Sequence, residues 1–245
     1  NPAFSIHTAD YVSNGWSQSQ WDAWFKTMQP LLAWSPLQGC IGDHEGHAPH
    51  YYDQFAFPTH SPKGTAKGEA YYSFDYANVH FVVLNSHDTD ATRRANMLAW
   101  LTTDVQATPQ DWVIADWHHP PYTKGSHDSD FEGQHIDMRE NAIPILEAGG
   151  VDMVLGGHSH IYERSYLLNG AYETPSTTAG IIDPDDGRPA GDGPYVKDPT
   201  DPTIGAVYVV AGHGGTAVSG SGNHPPGNPA ELALRFVPVQ AVHVV

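Results

Sequence analysis

The chain has 245 residues, and 28 Asp or Glu against 11 Lys or Arg give a formal charge of −17 at pH 7. Hydrophobic residues at 40% support a core and charged residues at 16% are too few for a disordered polyanion, so the chain folds as one large domain or two small ones. An acidic surface with scattered basic residues excludes nucleic-acid and membrane-surface binding unless bound metal supplies positive charge, and Cys40, the only cysteine, excludes an internal disulfide and thiolate-rich metal sites.

In chain order, residues 4–7 form a β-rich run ending at Thr8-Ala9-Asp10. Trp21, Trp24, Phe25, Met28 and Leu32 then recur at helical spacing until Pro36. Residues 37–42 predict a short strand. Residues 71–74 and 79–84, joined by Asp75-Tyr76-Ala77-Asn78, predict a hairpin, because both flanks are β-branched or aromatic and the joint is polar. A helix follows over residues 91–105 with Leu98, Leu101 and Val105 inward. Residues 112–117 predict a strand, 137–148 a helix closed by Gly149-Gly150, and 151–155 a strand entering Gly156-Gly157. The proline-rich stretch 174–202 and the stretch 212–229 predict long surface loops around a strand-like segment, 205–210, and residues 236–245 end in another strand-like run. Strands separated by helices indicate a layered α/β fold, and the hairpin makes its sheet mixed.

Histidine is abundant, at 16 residues, and its placement carries chemistry. Asp10, Asp43 with His44, His118 with His119, and His158 with His160 each follow a predicted strand. In open α/β sheets ligands bind at those carboxyl ends, so four strand ends deliver carboxylate or imidazole to one crevice, a donor set for hard or borderline divalent ions. Singly, each residue also reads as a surface histidine, a turn or a helix cap; the coincidence of all four favours a site.

The motifs Thr8-Ala9-Asp10, Gly42-Asp43-His44-Glu45, His118-His119-Pro120-Pro121-Tyr122 and Gly157-His158-Ser159-His160-Ile161-Tyr162-Glu163-Arg164 resemble those of the calcineurin-like metallophosphoesterases. The likeness is to the branch of purple acid phosphatases and their bacterial relatives. Tyr71-Tyr72-Ser73-Phe74-Asp75-Tyr76 and Tyr208-Val209-Val210-Ala211-Gly212-His213-Gly214-Gly215 extend it over nearly the whole chain. The resemblance implies two mixed β-sheets packed as a sandwich and flanked by helices, in four layers. It implies a single catalytic domain over residues 1–245 that lacks the family's first strand and the metal-binding Asp on it.

The resemblance further implies hydrolysis of phosphomonoesters, or of diesters, at two ions of the iron, zinc or manganese type about 3.5 to 4 Å apart, which polarise a phosphoryl oxygen and hold a hydroxide. Asp10 would bridge the ions, Asp43, His118 and His158 would complete one, and His160 would bind the other. His44 and His127 would be catalytic, and His44, His119 and His127 would contact a small phosphate-ester substrate. Three positions depart from the family pattern: Ala9 replaces Gly, Asp43 replaces Asn, and Ser13 replaces the Tyr of purple members, so no tyrosinate colour is expected. The branch is commonly secreted, which implies an extracellular or periplasmic location, and no run of 18 apolar residues or signal peptide stands in the chain. A noncatalytic metal- or phosphate-binding relative is the competing expectation, motivated by the missing strand, Ala9 and Asp43. A histidine-rich sequestering protein is disfavoured, because its histidines would cluster rather than be spaced by whole strands and helices. Oligomeric state is not read from the sequence.

Overall fold

Short apolar strands alternate with helices in the computed structural model, which describes residues 2–59, 69–173, 180–183, 187, 193–198, 200–201 and 203–215. The elements run β1 (Ser5–His7), α1 (Gln18–Leu32), β2 (Leu37–Gly39), α2 (Pro49–Gln54), β3 (Tyr72–Tyr76), β4 (Val79–Val83), α3 (Ala91–Ala107), β5 (Trp112–Asp116), α4 (Gly133–Asp137), a π-turn (Met138–Ala142), α5 (Ile143–Ala148), β6 (Met153–Gly156), β7 (Tyr162–Arg164), β8 (Leu167–Leu168), β9 (Ile181–Asp183) and β10 (Val207–Ala211). Most of loop 174–202, most of stretch 212–229 and the whole of run 236–245 lie outside the described residues.

The central sheet has six strands in the order β3-β4-β5-β6-β10-β7. Its inner strands are parallel and both edge strands antiparallel, which makes the fold mixed α/β. The expected hairpin is β3 and β4, with Tyr76 paired to Val79. Beside this sheet stand a parallel pair, β1 with β2, and an antiparallel pair, β8 with β9. Parallel pairing turns the carboxyl ends of β4, β5 and β6 to one edge, so the segments starting at Asn85, Trp117 and Gly157 lie together.

Two cores hold the layers. One is mainly aliphatic: Val82 and Leu84, Val113 and Ala115, and Val154 pack against Met97, Leu101 and Val105 of α3 and Ile143 and Leu146 of α5. The other is aromatic and fixes the N-terminal segments, with Tyr11, Trp21, Tyr51, Phe57 and Tyr72 buried together. Asp90 caps α3 by accepting from the backbone N–H groups of Thr92 and Arg93.

The helix expected over 137–148 begins earlier, at Gly133, and carries the π-turn in its middle. Pro144 explains it: it has no N–H for the Glu140 carbonyl and its ring crowds that carbonyl, so the backbone widens by one residue instead of breaking.

Candidate metal centre

The site is built where backbones approach closely. A Cβ on Gly42 would stand 2.2 Å from Asp10 Oδ1, and one on Gly157 would stand 2.5 Å from the Thr8 carbonyl oxygen. These glycines let the segments after β2 and β6 close on the segment after β1. Three of the four non-glycine residues with positive φ among the described residues fall here: Ala9 at 73°, Asp10 at 53° and His158 at 59°. Such conformations cost about 1–2 kcal/mol each for L-residues and persist only when their surroundings hold them.

Glu45 supplies part of that hold. Its buried carboxylate accepts hydrogen bonds from the backbone N–H groups of Asp10 at 3.0 Å, Val12 at 3.2 Å and Gly42 at 3.1 Å. Burial and the nearby Asp10 charge outweigh those bonds and push the Glu45 carboxyl up to about 7. The motif quoted from the sequence contains Glu45, but its role needed the fold, because two of its donors are 33 and 35 residues away.

At the centre, three donor atoms form a nearly equilateral triangle. Asp43 Oδ1 is 2.9 Å from His118 Nε2 and 3.0 Å from His158 Nδ1, and those two nitrogens are 3.0 Å apart. Ligands about 2.1 Å from an octahedral ion lie about 3.0 Å from one another. His119 joins the same group of potential ligands. Asp10 Oδ2 reaches His118 Nε2 at 3.1 Å, and Asp10 Oδ1 accepts the His44 backbone N–H at 3.3 Å.

His118 is fully buried, and its other nitrogen, Nδ1, lies 2.9 Å from the Thr8 carbonyl oxygen. A carbonyl only accepts, so Nδ1 carries a proton and Nε2 is the nitrogen presented to the triangle, the usual arrangement of a ligating histidine. Burial alone would lower the His118 imidazole, yet its hydrogen bonds with Asp10 and Asp43 raise it to about 10. Burial likewise acts to raise the Asp43 carboxyl, but the bonds from His118 and His158 hold it far below the usual carboxylate range. Burial, together with the charges of His118 and His158, holds His119 far below the usual imidazole range. The triangle therefore demands positive charge. Its carboxylate and imidazole donors suit a metal ion.

The remaining candidates divide. His44 is exposed and its Nδ1 donates to the Ser13 carbonyl at 3.0 Å. The His127 ring lies against that of His158, tilted by 34° with centroids 3.7 Å apart, and its Nδ1 lies 3.0 Å from Glu132. His160 donates its backbone N–H to Ser126 Oγ, and among the described residues it belongs to no group of three potential ligands. Glu132 and His135, which the sequence reading passed over, stand beside His158. The cue was an acid and a histidine three residues apart at the start of a helix.

Comparison with known proteins agrees with this architecture. The chain is 30% identical over 204 residues to purple acid phosphatase 18 from Arabidopsis thaliana, covering 78% of this chain and 44% of that relative. It is 30% identical over 225 residues to purple acid phosphatase 23 of the same plant, covering 87% of this chain and 42% of that relative. The solved structure of a purple acid phosphatase from yellow lupin seeds superposes with a TM-score of 0.59 at 16% identity, over 91% of this chain and 38% of that one. The chain thus spans less than half the length of each. With residues 1–162 matched by the family model for calcineurin-like phosphoesterases, the chain belongs to that family.

Proposed function

We propose that the chain hydrolyses phosphate esters, monoesters in the first place and diesters within the same class, with metal ions bound at the crevice. The observation that carries this reading is the triangle of Asp43 Oδ1, His118 Nε2 and His158 Nδ1. Those three would hold one ion, and Asp10 would bridge to a second whose other donor is His160. Ions there supply the charge that polarises a phosphoryl oxygen and the Lewis acidity that readies water for attack at neutral pH.

The chain's own groups set up the rest. The Thr8 carbonyl fixes the His118 tautomer. The Ser13 carbonyl accepts a hydrogen bond from His44 Nδ1–H, which leaves His44 Nε2 to exchange a proton with the leaving group. His127, oriented by Glu132, and His119 would contact the ester from the other side. A small phosphate ester suits a crevice whose positive charge comes from metal in an otherwise acidic chain. An extracellular or periplasmic location belongs to the same proposal, and among the described residues no helix is long and apolar enough to cross a membrane.

A second reading, a metal- or phosphate-binding protein without turnover, is favoured by the absence of His160 from the groups of potential ligands. Elemental analysis of the purified chain, paired with hydrolysis of a chromogenic monoester and the matching diester, separates the two. Hydrolysis lost on chelation and restored by iron, zinc or manganese is expected. Retained metal with neither ester turned over would leave the binding reading.

A further inference from the structure

The loop from β5 to α4 carries His118 and His119 at its start and His127 farther along, and a buried cation holds its shape. Arg139 lies in the π-turn and is fully buried. Its Nη1 donates to the Pro121 carbonyl at 2.9 Å and to the Ser129 carbonyl at 2.7 Å, and its Nε donates to the Tyr172 carbonyl at 3.2 Å. One nitrogen thus joins the chain just after His119 to the chain just after His127. Among the described residues the hydrogen bonds of Arg139 go to carbonyl oxygens and none to a carboxylate. Burial of a charge without a counter-ion destabilises a fold, and an apolar side chain of similar volume would avoid that cost. What the guanidinium adds is a rigid fork of donors.

The loop needs such donors. Pro120 and Pro121 have no N–H, so the segment after His119 is fixed through its carbonyls. His135 Nδ1 meets that of Pro120 at 2.5 Å, and Arg139, four residues on, meets that of Pro121. Farther along, Thr123 and Ser129 close the base of the turn that carries His127: Ser129 N donates to the Thr123 carbonyl at 3.2 Å and Thr123 N to Ser129 Oγ at 3.0 Å. On the Thr123 side, the buried Glu163 of β7 accepts from Thr123 Oγ1 at 2.5 Å and from Lys124 N at 3.0 Å. A buried acid and a buried base therefore grip the two flanks of one closed turn, and the turn sets the His127 ring against that of His158.

We propose that Arg139 is a positioning residue for the hydrolysis: by tying the Ser129 carbonyl to the segment after His119, it fixes where the His127 imidazole stands beside the metal centre. What that placement does for turnover rests on the phosphatase reading; the grip on the loop does not.

The test pairs kinetics with hydrogen exchange on the metal-loaded full chain, with thermal melting confirming that each variant is folded. Arg139→Met should keep its metal and lower kcat/KM for a chromogenic monoester by about 10- to 100-fold, the scale of a misplaced contact group. In a His127→Ala background the same change should lower it by less than about twofold, because Arg139 acts through His127. Arg139→Lys, a point donor in place of the fork, should fall between. Amides of residues 123–129 should exchange faster in Arg139→Met, while those of β5 and β6 do not change. Losses that multiply in the double variant, metal lost with Arg139, or unchanged exchange over 123–129 would overturn the proposal, and if Arg139→Met does not fold, the same results in Arg139→Lys overturn it. Faster exchange over 123–129, with no form hydrolysing either ester, would uphold the grip and overturn the phosphatase reading.

Discussion

His80 in β4 and His118 just past β5 are both buried and both lie beside two Asp carboxylates, yet the fold employs them differently. Around His80 the protons suffice: Nδ1 lies 2.6 Å from Asp75 and Nε2 2.9 Å from Asp104, one N–H for each carboxylate. Around His118 they do not. Its Nδ1 serves the Thr8 carbonyl, and its Nε2 faces Asp43, Asp10 and His158 within 3.1 Å. One N–H cannot serve two carboxylates while a second imidazole nitrogen stands 3.0 Å away, whereas one divalent ion can hold all of these groups. Crowding of acceptors on a single nitrogen, rather than burial or an adjacent acid, separates a ligating histidine from a structural one.

The largest effect should come from breaking the crowded side. His118→Ala, and equally His158→Ala, should remove at least one metal equivalent and lower turnover by more than about 10³-fold, beyond the 10- to 100-fold typical of a residue that only orients a ligand. Metal analysis and ester hydrolysis of the purified variants check this. Full metal content with normal turnover would put that histidine in the same class as His80.

His44→Ala sharpens the contrast within the site. Its ring bonds a carbonyl and takes no part in the triangle, so metal content should be unchanged while turnover falls by about 10² to 10⁴-fold, the worth of a positioned acid or base. Metal lost in this variant would mean that His44 is a ligand.

His80→Gln tests the structural side. Burial acts to lower the His80 imidazole, but the bonds to Asp104 and Asp75 prevail and raise it. A histidine whose folded-state pKa is raised contributes stability that is fully present below its unfolded value of about 6.5 and is lost as pH rises through the raised value. The substitution should therefore cost about 2 kcal/mol at pH 6, the scale of a hydrogen bond to a charged group, and much less at high pH. Denaturant melts at pH 6 and pH 9 would show the difference between the two proteins shrinking. A constant difference would show that the ion pairs are not its source.

The smallest expected effect belongs to Ala9→Gly. Ala9 holds φ at 73°, where glycine has no Cβ penalty, so the change should stabilise the fold by about 1 kcal/mol and leave metal content alone. A destabilised variant would show that the Ala9 methyl makes contacts worth more than its strain.

Much of this was legible in the sequence for identifiable reasons. The inner strands are β-branched runs bounded by polar residues, and the acids and histidines follow those runs directly, so crevice and donors came together. The short strands β7 to β9 were not legible, because strands of two or three residues are set by pairing with other segments, β7 with β10 and β8 with β9. The role of Glu45 was not legible for the same reason, because two of its donors are 33 and 35 residues away, whereas Glu132 and His135 were passed over although they stand three residues apart at the start of a helix. For His160 the motif suggests two imidazoles aimed at neighbouring ions; His158 stands in the triangle, and among the described residues His160 belongs to no group of three potential ligands.

The most direct test of the central claim is anomalous diffraction from crystals of the purified chain, recorded at the iron, zinc and manganese edges. A strong peak within bonding distance of Asp43 Oδ1, His118 Nε2 and His158 Nδ1, with a weaker one or none beside His160, is the predicted result. Density showing His118 Nε2 hydrogen-bonded to Asp43, with no anomalous peak between them in crystals grown with those metals, would contradict the claim.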